Sequence, residues 1–120
     1  MAINRAFDLL DSGESAIVLF TRELNLVEPN ADGSGTSGNW LTNPDYHDQP
    51  DKVIIYNRLP GQVSSETEVY LANYVDAIES KSPGRYIIHY QDFVLKGTTN
   101  SSWYEFADTG PNPVRYLRRS

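Results

Sequence analysis

The chain contains no cysteine, which excludes disulfides, thiolate zinc sites and a cysteine nucleophile together. Histidine is nearly as scarce: His47 and His89 are the two in 120 residues, so any histidine general acid or base must be one of them. No apolar run approaches the roughly 20 residues that cross a bilayer. The opening stretch Met1 to Leu10 carries Arg5 and Asp8 and has no signal-peptide core. The expectation is an intracellular, cytoplasmic protein with no membrane partner. Basic residues are also few, 10 against 16 acids, for a formal net charge of −6. Bulk capture of nucleic acid works by neutralising phosphates with Lys and Arg, and this balance disfavours it. Neither a P-loop nor a dinucleotide glycine fingerprint is present.

What is present fits one globular domain over residues 1–120, with 39% hydrophobic residues and eight tyrosines. Ile3, Ala6, Phe7, Leu9 and Leu10 recur at helical spacing ahead of Gly13, which predicts a short amphipathic helix of about three turns. Ala16 to Phe20 is a continuous apolar run and Glu23 to Val27 alternates, reading as one long bent strand or two short ones. Residues 28–51 hold three Pro, three Gly and almost no aliphatics; a long loop is expected there, of the kind that is either functional or disordered. Lys52 to Tyr56 is a clear strand. Glu68 to Ile78 reads as strand ahead of helix on its β-branched and Tyr content. Arg85 to Tyr90, extended past a bulge through Phe93 to Leu95, is a further strand, and Val114 to Leu117 closes the chain as another. The expected class is α+β, mainly β, as a small curled sheet or barrel with a short N-terminal helix.

Both tryptophans sit in similar settings: Gly35-Thr36-Ser37-Gly38-Asn39-Trp40 and Gly97-Thr98-Thr99-Asn100-Ser101-Ser102-Trp103, each followed later by Asn-Pro. An indole in a polar loop suits stacking on a flat partner such as a base; its plainer use is as a lid over the core. Beside them, Asn39, Thr98, Asn100 and Asn112 could read a base edge or simply build turns. Tyr46 and Tyr104 add aromatic surface. Arg115 could clamp a phosphate or form a surface ion pair. With Arg118 and Arg119 it makes the C-terminal end either an anion-facing surface or a solvated tail. For catalysis the pattern is thin. His47, in Asp45-Tyr46-His47-Asp48, lacks the second histidine a metal site would need, and His89 reads as a hydrogen-bonded strand residue. No catalytic residue, metal or cofactor is expected.

Asp51-Lys52-Val53-Ile54-Ile55-Tyr56, Glu68 to Val75 and Arg85 to Leu95 together resemble, over about residues 51–95, the PUA-like superfamily that includes EVE and ASCH domains. The resemblance implies a small β-barrel with a pocket for a nucleobase, often a modified one, or for RNA, with Trp40 and Trp103 as candidate stacking walls. The leading expectation is a non-enzymatic module that binds a nucleobase, nucleotide or nucleic acid through loop aromatics. The alternative is a small acidic inhibitor of phage type that blocks a basic nucleic-acid-binding or defence protein. A nucleotide- or nucleic-acid-processing enzyme is the third reading, and the Tyr-rich strands leave a homodimer open.

Overall fold

A computed structural model of the chain describes residues 3–22, 27–41, 50–58, 67–110 and 112–119, apart from the side chains of Asn39 and Leu41. A 3-10 turn (Ala6–Leu9) leads to β1 (Ser15–Arg22), β2 (Val27–Pro29), β3 (Gly35–Leu41), β4 (Lys52–Arg58), β5 (Thr67–Glu79) and β6 (Arg85–Thr99). A five-residue helix, α1 (Trp103–Ala107), and β7 (Val114–Arg118) complete the chain. The strands form one sheet in the order β2-β3-β6-β5-β4-β1-β7. β1 and β4 run parallel and every other pair is antiparallel.

Chain connectivity makes this sheet curl. β1 ends at Arg22 and β2 starts at Val27, a link that reaches at most about 18 Å. In a flat sheet strands five places apart would lie about 24 Å apart. The two ends meet only if the sheet bends toward one face, and the core confirms which. Ile17, Val27, Trp40, Val53, Ala72, Ile88 and Val114, one residue from each of the seven strands, belong to a single buried cluster. This is the concave face. The sheet does not close, because β2 and β7 stand at opposite ends of the strand order.

Alternation along β4 sends Val53 and Ile55 to the concave side and Ile54 and Tyr56 to the convex side, all of them buried. The continuous apolar run of β1 has the same cause, since a strand buried on both faces cannot alternate with polar residues. The convex side is roofed by the 3-10 turn and α1: Ile3, Ala6, Leu10, Trp103 and Phe106 pack on Val18, Ile54, Tyr56, Val69 and Leu117.

The mainly β class, the strand reading of β5 and the bulge within β6 agree with the sequence. At that bulge Asp92 takes φ 57° and the register with β5 shifts between Leu71 and Asn73. Three expectations need correction. The N-terminal helix is a four-residue 3-10 turn without a side-chain cap, and its start is drawn away by the Ile3 N–H, which donates to Thr98 O (2.8 Å). The long loop contains a hairpin, β2–β3, turned at Asn30–Ser34, where Asp32 accepts from both the backbone and hydroxyl of Ser34. Those two bonds hold the Asp32 carboxyl below its usual range. Residues 42–49 of the expected loop, and 23–26 of the expected second strand, lie outside the described residues. The stretch read as polar loop around Trp103 is α1, started by a reciprocal capping box between Ser102 and Glu105.

The C-terminal arginines bind the chain to itself. Arg119 Nη1 donates to Phe7 O (3.2 Å) and Leu10 O (3.0 Å), and Arg118 Nη1 to Gly13 O (3.3 Å). Arg119 thereby ties down the end of the 3-10 turn, adding a second bond at Phe7 O, which already accepts from the Leu10 N–H, and bonding Leu10 O. Arg119→Ala is expected to destabilise the domain by about 1–2 kcal/mol in chemical denaturation, whereas Arg5→Ala, which breaks an exposed Arg5–Asp8 pair, should change it by less than about 0.5 kcal/mol.

Candidate functional site

The residues singled out in the sequence do not converge. Trp40 and Trp103 are 4% and 6% exposed and belong to the concave and convex clusters respectively. They cannot be two walls of one pocket. Trp40 Nε1 donates to Ser37 Oγ (2.8 Å) and Trp103 Nε1 to Asn112 O (2.9 Å), so each indole has its polar atom satisfied inside the fold. Trp103 also meets Phe20 edge-on at 5.4 Å and Tyr56 at 5.5 Å. The reason for the misplacement is local: Trp40 is carried by β3 and Trp103 by α1, elements whose polar sequences read as loop.

The remaining positions scatter. Asn112 builds a turn, its Oδ1 accepting from Val114 N (3.0 Å). Thr98 is half-buried in β6 opposite Glu68, Asn100 is exposed, and Tyr104 projects from α1 with 56% of its surface free. Arg115 pairs with Val18 and so falls on the convex side; its Nε is buried without a partner among the described residues. Asn39 lies in β3 and its side chain is outside the described set, as are Tyr46 and His47. His89 is a paired strand residue, its Nδ1 2.8 Å from Asp76 Oδ1. Its neighbour Ile88 faces the concave cluster, so the pair stands on the other face. Among the described residues no three His, Asp or Glu side chains are grouped to hold a metal ion.

A different set does converge, at the end of the concave face where β1 and β4 finish. Strand register places Thr21 beside Asn57 and Asn57 beside Glu68, one row across β1, β4 and β5. Thr21 Oγ1 donates to Asn57 Oδ1 (3.0 Å), and Asn57 Nδ2 donates to Glu68 Oε1 (3.3 Å). Tyr70, two residues along β5 and therefore on the same face, donates its hydroxyl to the same Glu68 oxygen (3.0 Å). Thr21 and Asn57 are each 1% exposed, whereas Glu68 and Tyr70 are half-buried. The row thus runs from the interior outward and ends on a carboxylate.

Beside it lies an aromatic array. Tyr70 stacks on Phe93 with ring centroids 4.7 Å apart and planes 12° from parallel, and Phe93 meets Tyr90 at 5.2 Å. Phe93 reaches this position because the bulge at Asp92 re-aims the strand. Tyr90 is itself buried against Gly35, where a Cβ would come within 2.5 Å of its Oη, so only glycine lets the ring lie down. The Tyr90 hydroxyl has no hydrogen-bond partner among the described residues. Burial, followed by the hydrogen bond and charge of Glu68, pushes the Tyr70 phenol up to about 12; burial and the charge of Glu28 push Tyr90 to about 12 as well. Nothing in the linear sequence marks this site. Its polar members stand at the ends of strands, and only the register assembles them.

No protein-family model, curated protein or solved structure matches the chain.

Two outcomes follow from this geometry. Trp103→Ala should cost about 3–5 kcal/mol, the range for deleting a buried aromatic, measured by denaturant unfolding; a change below about 1 kcal/mol would mean that the indole is not a core residue. Tyr70 and Tyr90 have folded-state values above the ordinary ~10 of a phenol, so the stability they contribute is complete below pH ~10 and is lost as pH rises toward about 12. Tyrosinate absorbance should show late-titrating phenols, one of which disappears in Tyr70→Phe.

Proposed function

We propose that the chain is a non-enzymatic binding module for a flat, hydrogen-bonding ligand of the nucleobase or nucleotide class, taken free or within a nucleic acid. The ligand rests on the Tyr70–Phe93 stack of the concave face, and its edge is read by Glu68. The observation that carries this reading is the half-buried Glu68 carboxylate held beside a stacked pair of half-buried rings. A ring face supplies sequence-tolerant stacking, and a fixed polar group beside it supplies orientation. The expected stacking groups therefore move from the loop tryptophans to strand aromatics. The net charge of −6 favours contact with the base over contact with phosphate. Asn57, Glu68, Tyr70 and Phe93 all fall within the stretch that resembles PUA-like domains, and a PUA-like relationship would suit the same use. The described histidine, His89, pairs with Asp76 on the opposite face and takes no part in this site.

A second reading has its own observation. Val75 and Ile78 on β5 are 40% and 51% exposed, next in sequence to Asp76 and Glu79, and an acidic protein displaying apolar side chains suits a basic protein partner.

Calorimetric titration with nucleosides and nucleotides separates the two. Binding on the concave face predicts a saturable signal that Tyr70→Ala weakens about 5- to 150-fold, the equivalent of about 1–3 kcal/mol of lost stacking, with circular dichroism unchanged. Absence of binding to every nucleoside and nucleotide, from protein shown to be folded, would overturn the nucleobase reading and favour the protein partner.

A further inference from the structure

Hydrogen-bond direction along the Thr21–Asn57–Glu68–Tyr70 row narrows the ligand. The Thr21 hydroxyl donates to Asn57 Oδ1, which fixes the Asn57 amide so that its Nδ2 points at Glu68. The Tyr70 hydroxyl arrives at the same atom, so two donors converge on Glu68 Oε1. Glu68 Oε2 has no protein donor among the described residues, and the carboxylate cannot turn without breaking both bonds to Oε1. The side chain therefore presents one oriented acceptor of negative charge.

We infer that the site selects a base whose edge offers adjacent N–H donors, which among the common bases is guanine. The inference rests on the nucleobase-binding function proposed above and deepens it. Guanine places its ring imino N–H next to its exocyclic amino group. In adenine and cytosine the amino donor is flanked by a ring-nitrogen acceptor, and in uracil the imino donor lies between two carbonyls. Each of those acceptors turns a lone pair toward the carboxylate, while guanine turns a second proton. Hydrogen bonds to a charged acceptor are about twice as strong as neutral ones, which makes the difference large enough to read in affinity.

Glu68→Gln tests this with a nearly isosteric change. The Gln carbonyl has to take the Oε1 place, since Tyr70 and Asn57 both donate there, and its amide nitrogen then occupies the position of Oε2. An acceptor becomes a donor without a change of shape. Wild type is expected to bind guanosine at least about tenfold more tightly than adenosine, in line with the ~1–3 kcal/mol discrimination of an oriented base contact. Glu68→Gln should abolish or reverse that ratio at an unchanged melting temperature. Tyr70→Phe, which keeps the ring and releases the carboxylate, should reduce the ratio while retaining binding. Nucleoside binding with the same guanosine-to-adenosine ratio in wild type and Glu68→Gln would overturn the inference and leave the binding module standing. Absence of nucleoside and nucleotide binding in folded wild type would overturn both.

Discussion

The constraint on which the rest depends is that β1 and β4 are buried on both faces. Each is flanked by sheet neighbours and carries side chains of almost no exposure above and below, so two separate layers of cover have to be supplied by a chain of 120 residues. On the convex side the 3-10 turn and α1 supply it. On the concave side there is no helix among the described residues, and the sheet supplies its own cover by bending until its outer strands share a cluster with its central ones. The same bend brings aromatic side chains of β5, β6 and β7 around the concave face: Tyr70, Tyr74, Phe93 and Tyr116 pack at its margin.

Burial also divides the aromatic residues by role. Both tryptophans, the residues that look most exposed in sequence, are consumed in holding the two layers together. The groups left half-open are tyrosines and a phenylalanine inside strands. A strand displays alternate residues at fixed spacing on a rigid frame: Tyr70 and Tyr90 are each paired on both sides, and Phe93, at the bulge between them, is held by its N–H, which donates to Gly33 O (2.9 Å). Loop aromatics would have to be ordered when a ligand arrives, at a cost in entropy. For a small flat ligand the strand array is the better platform.

Much of the fold was legible because its signals are local. The apolar runs of β1, β4 and β6 and the Val-Tyr pattern of β5 announce strands without knowledge of their partners. β3 was not legible, since Gly35-Thr36-Ser37-Gly38-Asn39-Trp40-Leu41 has the composition of a loop; it becomes a strand through pairing with β2 and β6, where Gly35 and Gly38 admit Tyr90 and Ile87 at close range. α1 could have been found from Ser102 and Glu105, a capping pair three residues apart. The candidate site was beyond reach for a different reason. Thr21, Asn57 and Glu68 are far apart in sequence and unremarkable singly, and their row exists only once the parallel register of β1 with β4 and the antiparallel register of β4 with β5 are both known. The same holds for Arg119, whose use is structural and whose partners lie at the other end of the chain.

That last contact bears on how the protein is made. β7 supplies the outer neighbour of β1, and the final arginines anchor the turn that roofs the convex core. During synthesis from the N-terminus, β1 and the 3-10 turn emerge well before these partners, Leu10 preceding Arg119 by 109 residues. Until then an apolar strand has one bare edge and an incomplete cover. A finished domain therefore appears only once β7 and its arginines have been made, and a product cut short before Val114 is a species with exposed β1 surface, prone to associate with other chains.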